Sequence, residues 1–247
     1  MVKDAKVRLF VEAPLAENSE LALDRDAVHY VSNVMRLDVG DSLILFNGRD
    51  GEWLADVQQS ARRECVVVLN ELLKPQPQEL DLWVAAAPIK RARLEMLVEK
   101  ATELGVTRIQ PVITRRTTTP RTNVVRLTAQ AKEAAEQCGR LSVPSVAEPM
   151  ALGQFLESAE RPRHILWCDE SGDSPLMSRA LDDMSGAARE AAWVLLIGPE
   201  GGFDPAERER ISEADHVLRV DLGPRILRSE TAAIVALGIL QSWMSTA

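Results

Sequence analysis

The chain has 247 residues, of which 46% are hydrophobic and 27% charged, with a formal net charge of -8. That length holds one large or two smaller domains, and the composition excludes a disordered or collagen-like chain. A pI near 5.1 argues against a purely electrostatic nucleic-acid binder. Residues 75–145 nevertheless hold 11 basic against 7 acidic side chains, as either a solvated face or an anion or RNA surface.

Met1–Lys6 leads into no long apolar run and carries no cleavage signal, so no signal peptide is expected. No stretch approaches the ~20 apolar residues that span a bilayer. Cys65, Cys138 and Cys168 share no CxxC spacing. A disulfide framework and a zinc site are therefore not expected, and the chain reads as reduced and cytoplasmic, its cysteines as small buried hydrophobes and no metal implied.

Strand-like runs at 7–12, 42–47, 53–57 and 65–69 surround one helical pattern. In that pattern Ala27, Val28, Val31, Val34 and Met35 recur on one face behind the cap candidate Asp24. Asn47-Gly48-Arg49-Asp50-Gly51 is a hairpin turn. These elements predict a small β-barrel over 1–73. Lys74-Pro75-Gln76-Pro77-Gln78-Glu79 denies the chain helix and central strand alike, which sets a linker at 74–79 and a second domain over 80–247.

Beyond the linker, strands and helices alternate. Strands are predicted at 80–87, 108–113, 164–168, 193–197 and 216–222. A helix near 90–104 carries the stripe Leu94, Leu97, Val98, Ala101 and Leu104 and stops at Gly105. Asp204-Pro205-Ala206-Glu207 opens another with a cap, a first-turn proline and a capping-box glutamate. The last is expected over 230–244 with Ser229 as cap. Continuous apolar strands between helices predict a buried parallel sheet covered on both faces.

In such sheets ligands bind at the carboxyl ends of the strands. Three loops qualify: 168–172, 198–202 and 222–231. The second places Gly198, Gly201 and Gly202 within five residues, which suits close backbone approach to a ligand and equally suits a plain turn. Neither GxGxxG nor GxxxxGK[ST] occurs, so neither a dinucleotide fingerprint nor a P-loop is present. In the third loop Arg225 and Arg228 flank Ile226-Leu227 just before a helix N-terminus, where positive charge is electrostatically misplaced. They are expected to face an acidic partner or an anionic ligand, with Glu230, in the first turn of the helix, either satisfying the helix dipole or partnering Arg225.

Ile197-Gly198-Pro199-Glu200-Gly201-Gly202-Phe203 and Leu222-Gly223-Pro224-Arg225-Ile226-Leu227-Arg228-Ser229-Glu230-Thr231-Ala232 resemble the RsmE family of SPOUT-class 16S ribosomal RNA uridine-N3 methyltransferases. Arg8–Val11, His29 to Asp41, Lys100–Val106 and Glu136–Arg140 with Pro144 continue the likeness in order along nearly the whole chain. Met35 and Cys138 are small departures from the family pattern. The resemblance implies an α/β fold: a PUA-like β-barrel followed by a SPOUT-type parallel sheet with a C-terminal trefoil knot. It further implies S-adenosylmethionine as methyl donor, held by Gly198, Glu200, Gly201, Gly202, Leu222, Gly223, Ile226 and Leu227. A homodimer is implied, with the stripe Ile234, Leu237, Gly238 and Gln241 fitting a dimer face or ordinary core equally.

On this reading Arg228 stabilises charge developing on the uracil. Glu200 is the candidate proton acceptor, with water as the alternative. Arg8, His29, Arg36, Lys90, Arg93, Arg115, Arg116 and Arg140 are the candidate RNA contacts, and small-subunit 16S ribosomal RNA, within the assembled subunit, is the expected partner. The other readings are a ribose 2′-hydroxyl methyltransferase, a non-catalytic RNA-binding factor and a dehydrogenase.

Overall fold

The computed structural model describes residues 5, 7–61, 63–158, 163–184 and 186–245. Of Met1–Lys6, where no leader is expected, all but Ala5 lie outside the described residues. The chain divides into two units: residues up to Gln78 with Ala135–Val143, and Glu79–Ala134 with Pro144–Ala247.

The first unit is a five-stranded sheet in the order β1-β3-β4-β5-β2, made of β1 (Arg8–Phe10), β2 (Glu20–Ala22), β3 (Ser42–Phe46), β4 (Glu52–Ala61) and β5 (Glu64–Lys74). Register shifts along β4 and β5 bend the long hairpin. Leu9, Leu43, Leu45, Ala55, Val57, Val67 and Leu69 from both sides of the sheet order meet in one core. The Asn47 turn forms as expected: its Oδ1 accepts from Arg49 N and Asp50 N. At Gly51, with φ 89, a Cβ would run into the carbonyl oxygen of Lys74, so only glycine fits. β5 runs through Lys74, and the three-residue strand β2 was too short to show a period.

The helical pattern at 25–35 is real but not regular. Asp24 caps α1 (Arg25–Val28) through Oδ1, which accepts from Ala27 N at 2.8 Å. The chain then widens into a π-helical turn over His29–Val34, closed by Met35 N donating to Tyr30 O at 2.9 Å. The extra residue rotates Val34 off the apolar stripe, leaving it 55% exposed while Val31 is fully buried.

Ala135–Val143, expected within the second domain, clusters with the first unit. Arg8 is the reason. Its guanidinium pairs with Glu52 at 2.6 Å and donates to the carbonyls of Ala135, Glu136 and Arg140. Phe10, Phe46, Ala135 and Leu141 pack beside it.

The second unit has a parallel sheet in the order β12-β10-β11-β6-β7-β8. Its strands are β6 (Leu82–Ala86), β7 (Arg108–Ile113), β8 (Ser145–Val146), β10 (His164–Cys168), β11 (Trp193–Ile197) and β12 (Val217–Val220); β9 (Met150–Ala151) pairs with the far end of β7. β11 is buried at every position, as a central parallel strand should be. Alternate residues face opposite layers. Ala85, Ile165, Trp167, Val194 and Leu196 pack under α4 (Leu152–Glu157) and α6 (Pro205–Glu213), with Leu152, Phe155 and Ile211 among them. The other face carries α7 (Ser229–Met244), whose Trp243 meets Trp193 edge-on at 5.9 Å, and α2 (Arg91–Glu103) packs on α7. α5 (Met177–Asp182) packs on α7 and β12, and α3 (Val124–Cys138) precedes β8. The sequence reading located neither α3, beyond its last turn, nor α4 nor α5.

Candidate functional site

The sheet order places β10, β11 and β12 side by side, so the loops leaving their carboxyl ends converge. They enclose two adjoining clefts of about 190 Å³ each, which share Cys168, Asp169, Glu170, Ile226, Leu227 and Ala232. Gly198, Glu200, Gly202 and Arg228 complete one, and Leu222, Gly223 and Arg225 the other. Of the expected cofactor residues, all but Gly201 line these clefts. Gly201 stands just outside, its carbonyl accepting from Arg116 Nη1 at 2.7 Å.

The walls are largely backbone. Gly202 takes φ 65 and closes a turn onto Pro199 O at 2.9 Å, while the Glu170 carboxylate lies where a Gly202 Cβ would stand. Gly223 takes φ 116 with open space on its Cβ side, and its N–H donates to Asp221 Oδ1. Among the described residues, the peptide groups of Leu222, Ile226 and Leu227 make no hydrogen bond. Backbone donors and acceptors left free inside a cleft are fitting partners for a polar ligand.

Asp169, fully buried, anchors the floor. Arg208 reaches it through Nη1 at 2.7 Å and Nη2 at 3.0 Å, Ser171 Oγ at 2.8 Å, and Arg219 through Nε. Burial by itself raises the Asp169 pKa, but the hydrogen bonds from Arg208, Ser171 and Arg219 and the charge of Arg208 outweigh it and hold the carboxyl below its ordinary value. Cys168 beside it is pushed up to about 12 by burial, so its thiol stays protonated and is no nucleophile.

Arg93, on the first turn of α2, joins two motif loops. It stands 3.6 Å from Glu200 and 3.6 Å from Glu230, whose side chain is 8% exposed. Glu230 therefore pairs with Arg93 and not with Arg225. Ser229 is not the cap of α7: Arg228 occupies the N-cap position and Ser229 Oγ donates to Gly198 O at 3.0 Å. The hydroxyl ties the third loop to the second instead of to its own helix. Arg225 and Arg228 are exposed, and among the described residues neither guanidinium has a partner. Ile226 between them is 84% exposed.

The remaining candidates divide. Lys90 and Arg36 are exposed, Arg36 at a left-handed φ of 56. His29 is exposed and bonded to Asn33 at 2.9 Å. Arg115 Nε stands 3.2 Å from Asp204, and its backbone N–H donates to Glu207 Oε1. Arg140 Nε donates to Ser142. Arg8 is committed within the first unit, its side chain 15% exposed. Cys138 is exposed rather than buried. The sequence reading missed Arg93 as a bridge and the Asp169 network, whose one visible signal was an acid directly after an apolar strand. Among the described residues no group of His, Cys, Asp and Glu is placed to hold a metal.

The RNA methyltransferase domain family matches residues 76–241, and the RNA methyltransferase PUA domain family matches residues 23–70. The chain is 36% identical to ribosomal RNA small subunit methyltransferase E of Rickettsia conorii, over 93% of each protein. The same protein of Synechocystis is 33% identical over 97% of this chain and 78% of its own length. A Legionella pneumophila protein described as a methyltransferase and solved with bound SAM superposes with a TM-score of 0.84 at 31% identity, covering 96% of this chain and 97% of that one. The chain belongs to the ribosomal RNA small subunit methyltransferase E family.

Proposed function

We propose that this protein transfers a methyl group from S-adenosylmethionine to N3 of one uridine in small-subunit ribosomal RNA. The observation that carries the reading is the meeting of three strand-end loops around clefts whose rim holds two unpaired arginines. The clefts fit the donor: free peptide groups at Leu222, Ile226 and Leu227 suit its polar atoms, and the open side of Gly223 leaves room. Two related structures were solved with this compound, the Legionella protein and a Neisseria gonorrhoeae ribosomal RNA small subunit methyltransferase E at 25% identity and a TM-score of 0.82. Bound there, S-adenosylmethionine supplies an electrophilic methyl on a sulfonium.

The chain's own residues must do the rest. N3 of uracil is a nucleophile only without its proton, and the charge then spreads to O2 and O4. The unpaired Arg228 guanidinium, beside the cleft, supplies donors for that charge without first breaking an ion pair. Glu200, at the same rim, or water takes the N3 proton. Arg93, between Glu200 and Glu230, fixes the carboxylate's position and ties α2 to the loops. The uridine must leave its stack to enter, and with 4% aromatic residues RNA shape carries recognition more than base stacking.

The family resemblance adds two further points. The chain runs from β12 at the sheet edge, through the Leu176–Asp221 bridge, to α7 beneath β11; this course favours a trefoil knot. The half-exposed Ile234, Gly238 and Gln241 on α7 favour a homodimer face, while Leu237 is core.

The test is calorimetric titration with S-adenosylmethionine, followed by mass spectrometry of small-subunit RNA after reaction. Saturable binding and a new N3-methyluridine are expected. A folded protein without binding, or a methyl on ribose, refutes the reading.

A further inference from the structure

A second cavity, of about 290 Å³, lies in the same unit and shares no lining residue with the clefts. It is formed by the start of α2, the loop that precedes α3, and the first turn of α3. Buried Ile89, Leu94 and Leu127 give it an apolar lining. Around its mouth stand Arg91, Arg121 and Arg126.

The charge arrangement favours an anion. Glu95 holds Arg91 through Nε at 3.0 Å and Arg126 through Nε at 2.5 Å. Arg91 donates through Nε and Arg126 pairs through Nε, and among the described residues no Nη group of either arginine makes a hydrogen bond. Arg121 is exposed and equally unpartnered. Thr122 Oγ1 is buried at the cavity without a hydrogen bond, which costs free energy unless something supplies one. One carboxylate thus orients two guanidinium forks, and a third arginine adds net positive charge.

The same elements reach the strand-end clefts. Arg93, two residues beyond Arg91 and so directed to another side of α2, meets Glu200 and Glu230. Arg116, in the loop that leads to Thr119–Asn123, binds Gly201 O.

We infer that this cavity receives one nucleotide of the substrate RNA next to the target uridine. Its base lies on the apolar lining and its phosphate on Arg91, Arg121 and Arg126. The size suits one base, and three guanidinium forks suit a phosphodiester. The inference rests on the RNA-methylation reading, and it assigns a specificity pocket that the cofactor clefts do not contain.

The test measures binding of small-subunit RNA to the whole protein without S-adenosylmethionine, over a range of salt. Arg121→Glu should weaken binding at least tenfold and lower the log–log salt slope by about one, the loss of one phosphate contact. Arg126→Gln should act in the same direction, and the melting temperature of each variant controls for folding. RNA affinity and salt slope equal to wild type in both variants overturn the inference, even where methyl transfer proceeds. Arg121-dependent RNA binding with no methyl transfer by wild type sustains the pocket and refutes the methylation reading instead. Arg121-dependent binding of free uridine monophosphate, with RNA affinity unchanged, also overturns it.

Discussion

Replacing Asp169 by asparagine should destabilise the second unit and disturb both clefts. The carboxylate is fully buried and receives two bonds from Arg208, one from Arg219 and two from Ser171. An asparagine there would keep the shape but present an NH2 to an arginine, leaving a donor facing a donor. Removing one member of a buried pair costs about 3–5 kcal/mol. Arg208 and Arg219 are 29% and 37% exposed and can regain water, so a cost below that range, about 2–3 kcal/mol, is expected. For a chain of this size that is a fall of about 4–12 °C in melting temperature. Denaturant unfolding of Asp169→Asn, Arg208→Gln and the double variant measures it. The cycle should show coupling of at least ~1 kcal/mol. A loss under ~0.5 kcal/mol with no coupling refutes the argument that this network holds the loop.

Arg8→Ala should cost about 3 kcal/mol, because buried Glu52 loses one of its two cationic partners and three carbonyls lose a guanidinium hydrogen bond; a tenfold loss of RNA affinity without a change in unfolding midpoint would contradict this structural role. Gly202→Ala must hold a left-handed φ at about 1–2 kcal/mol and displace the Glu170 carboxylate, so S-adenosylmethionine should bind about tenfold more weakly, and wild-type affinity would count against the cleft. Arg228→Ala should lower the methyl-transfer rate by about 10²–10³ with cofactor affinity changed less than threefold; an unchanged rate removes Arg228 from the chemistry. Acid should destabilise the protein. Glu52 and Asp169 are both held below their ordinary values of 4.5 and 3.8, their ion pairs outweighing burial. Their contribution is present above those values and lost as pH falls through the folded-state pKa. Unfolding midpoints flat from pH 5 to pH 3 would contradict it.

The sequence by itself determined several local elements and the glycine-rich course of two strand-end loops. Apolar runs at 193–197 and 164–168, the Asp204 capping box and the Asn47 turn are short-range signals, and each forms where expected. The glycines of the second and third loops were legible as turn residues, and Gly202 and Gly223 hold the positive φ that favours glycine. A local signal also misled twice. Ser229 suits a helix cap, yet its hydroxyl reaches Gly198 across the loops. The stripe at 25–35 suits an α-helix, yet one inserted residue makes a π-turn. Only the tertiary structure decided which charges meet. Arg93 bridges Glu200 and Glu230, Asp169 gathers Arg208 and Arg219, and Arg8 reaches across 44 residues to Glu52. Ion pairs carry no period in sequence; their partners are chosen by the order of strands in the sheet and by which groups burial leaves without water.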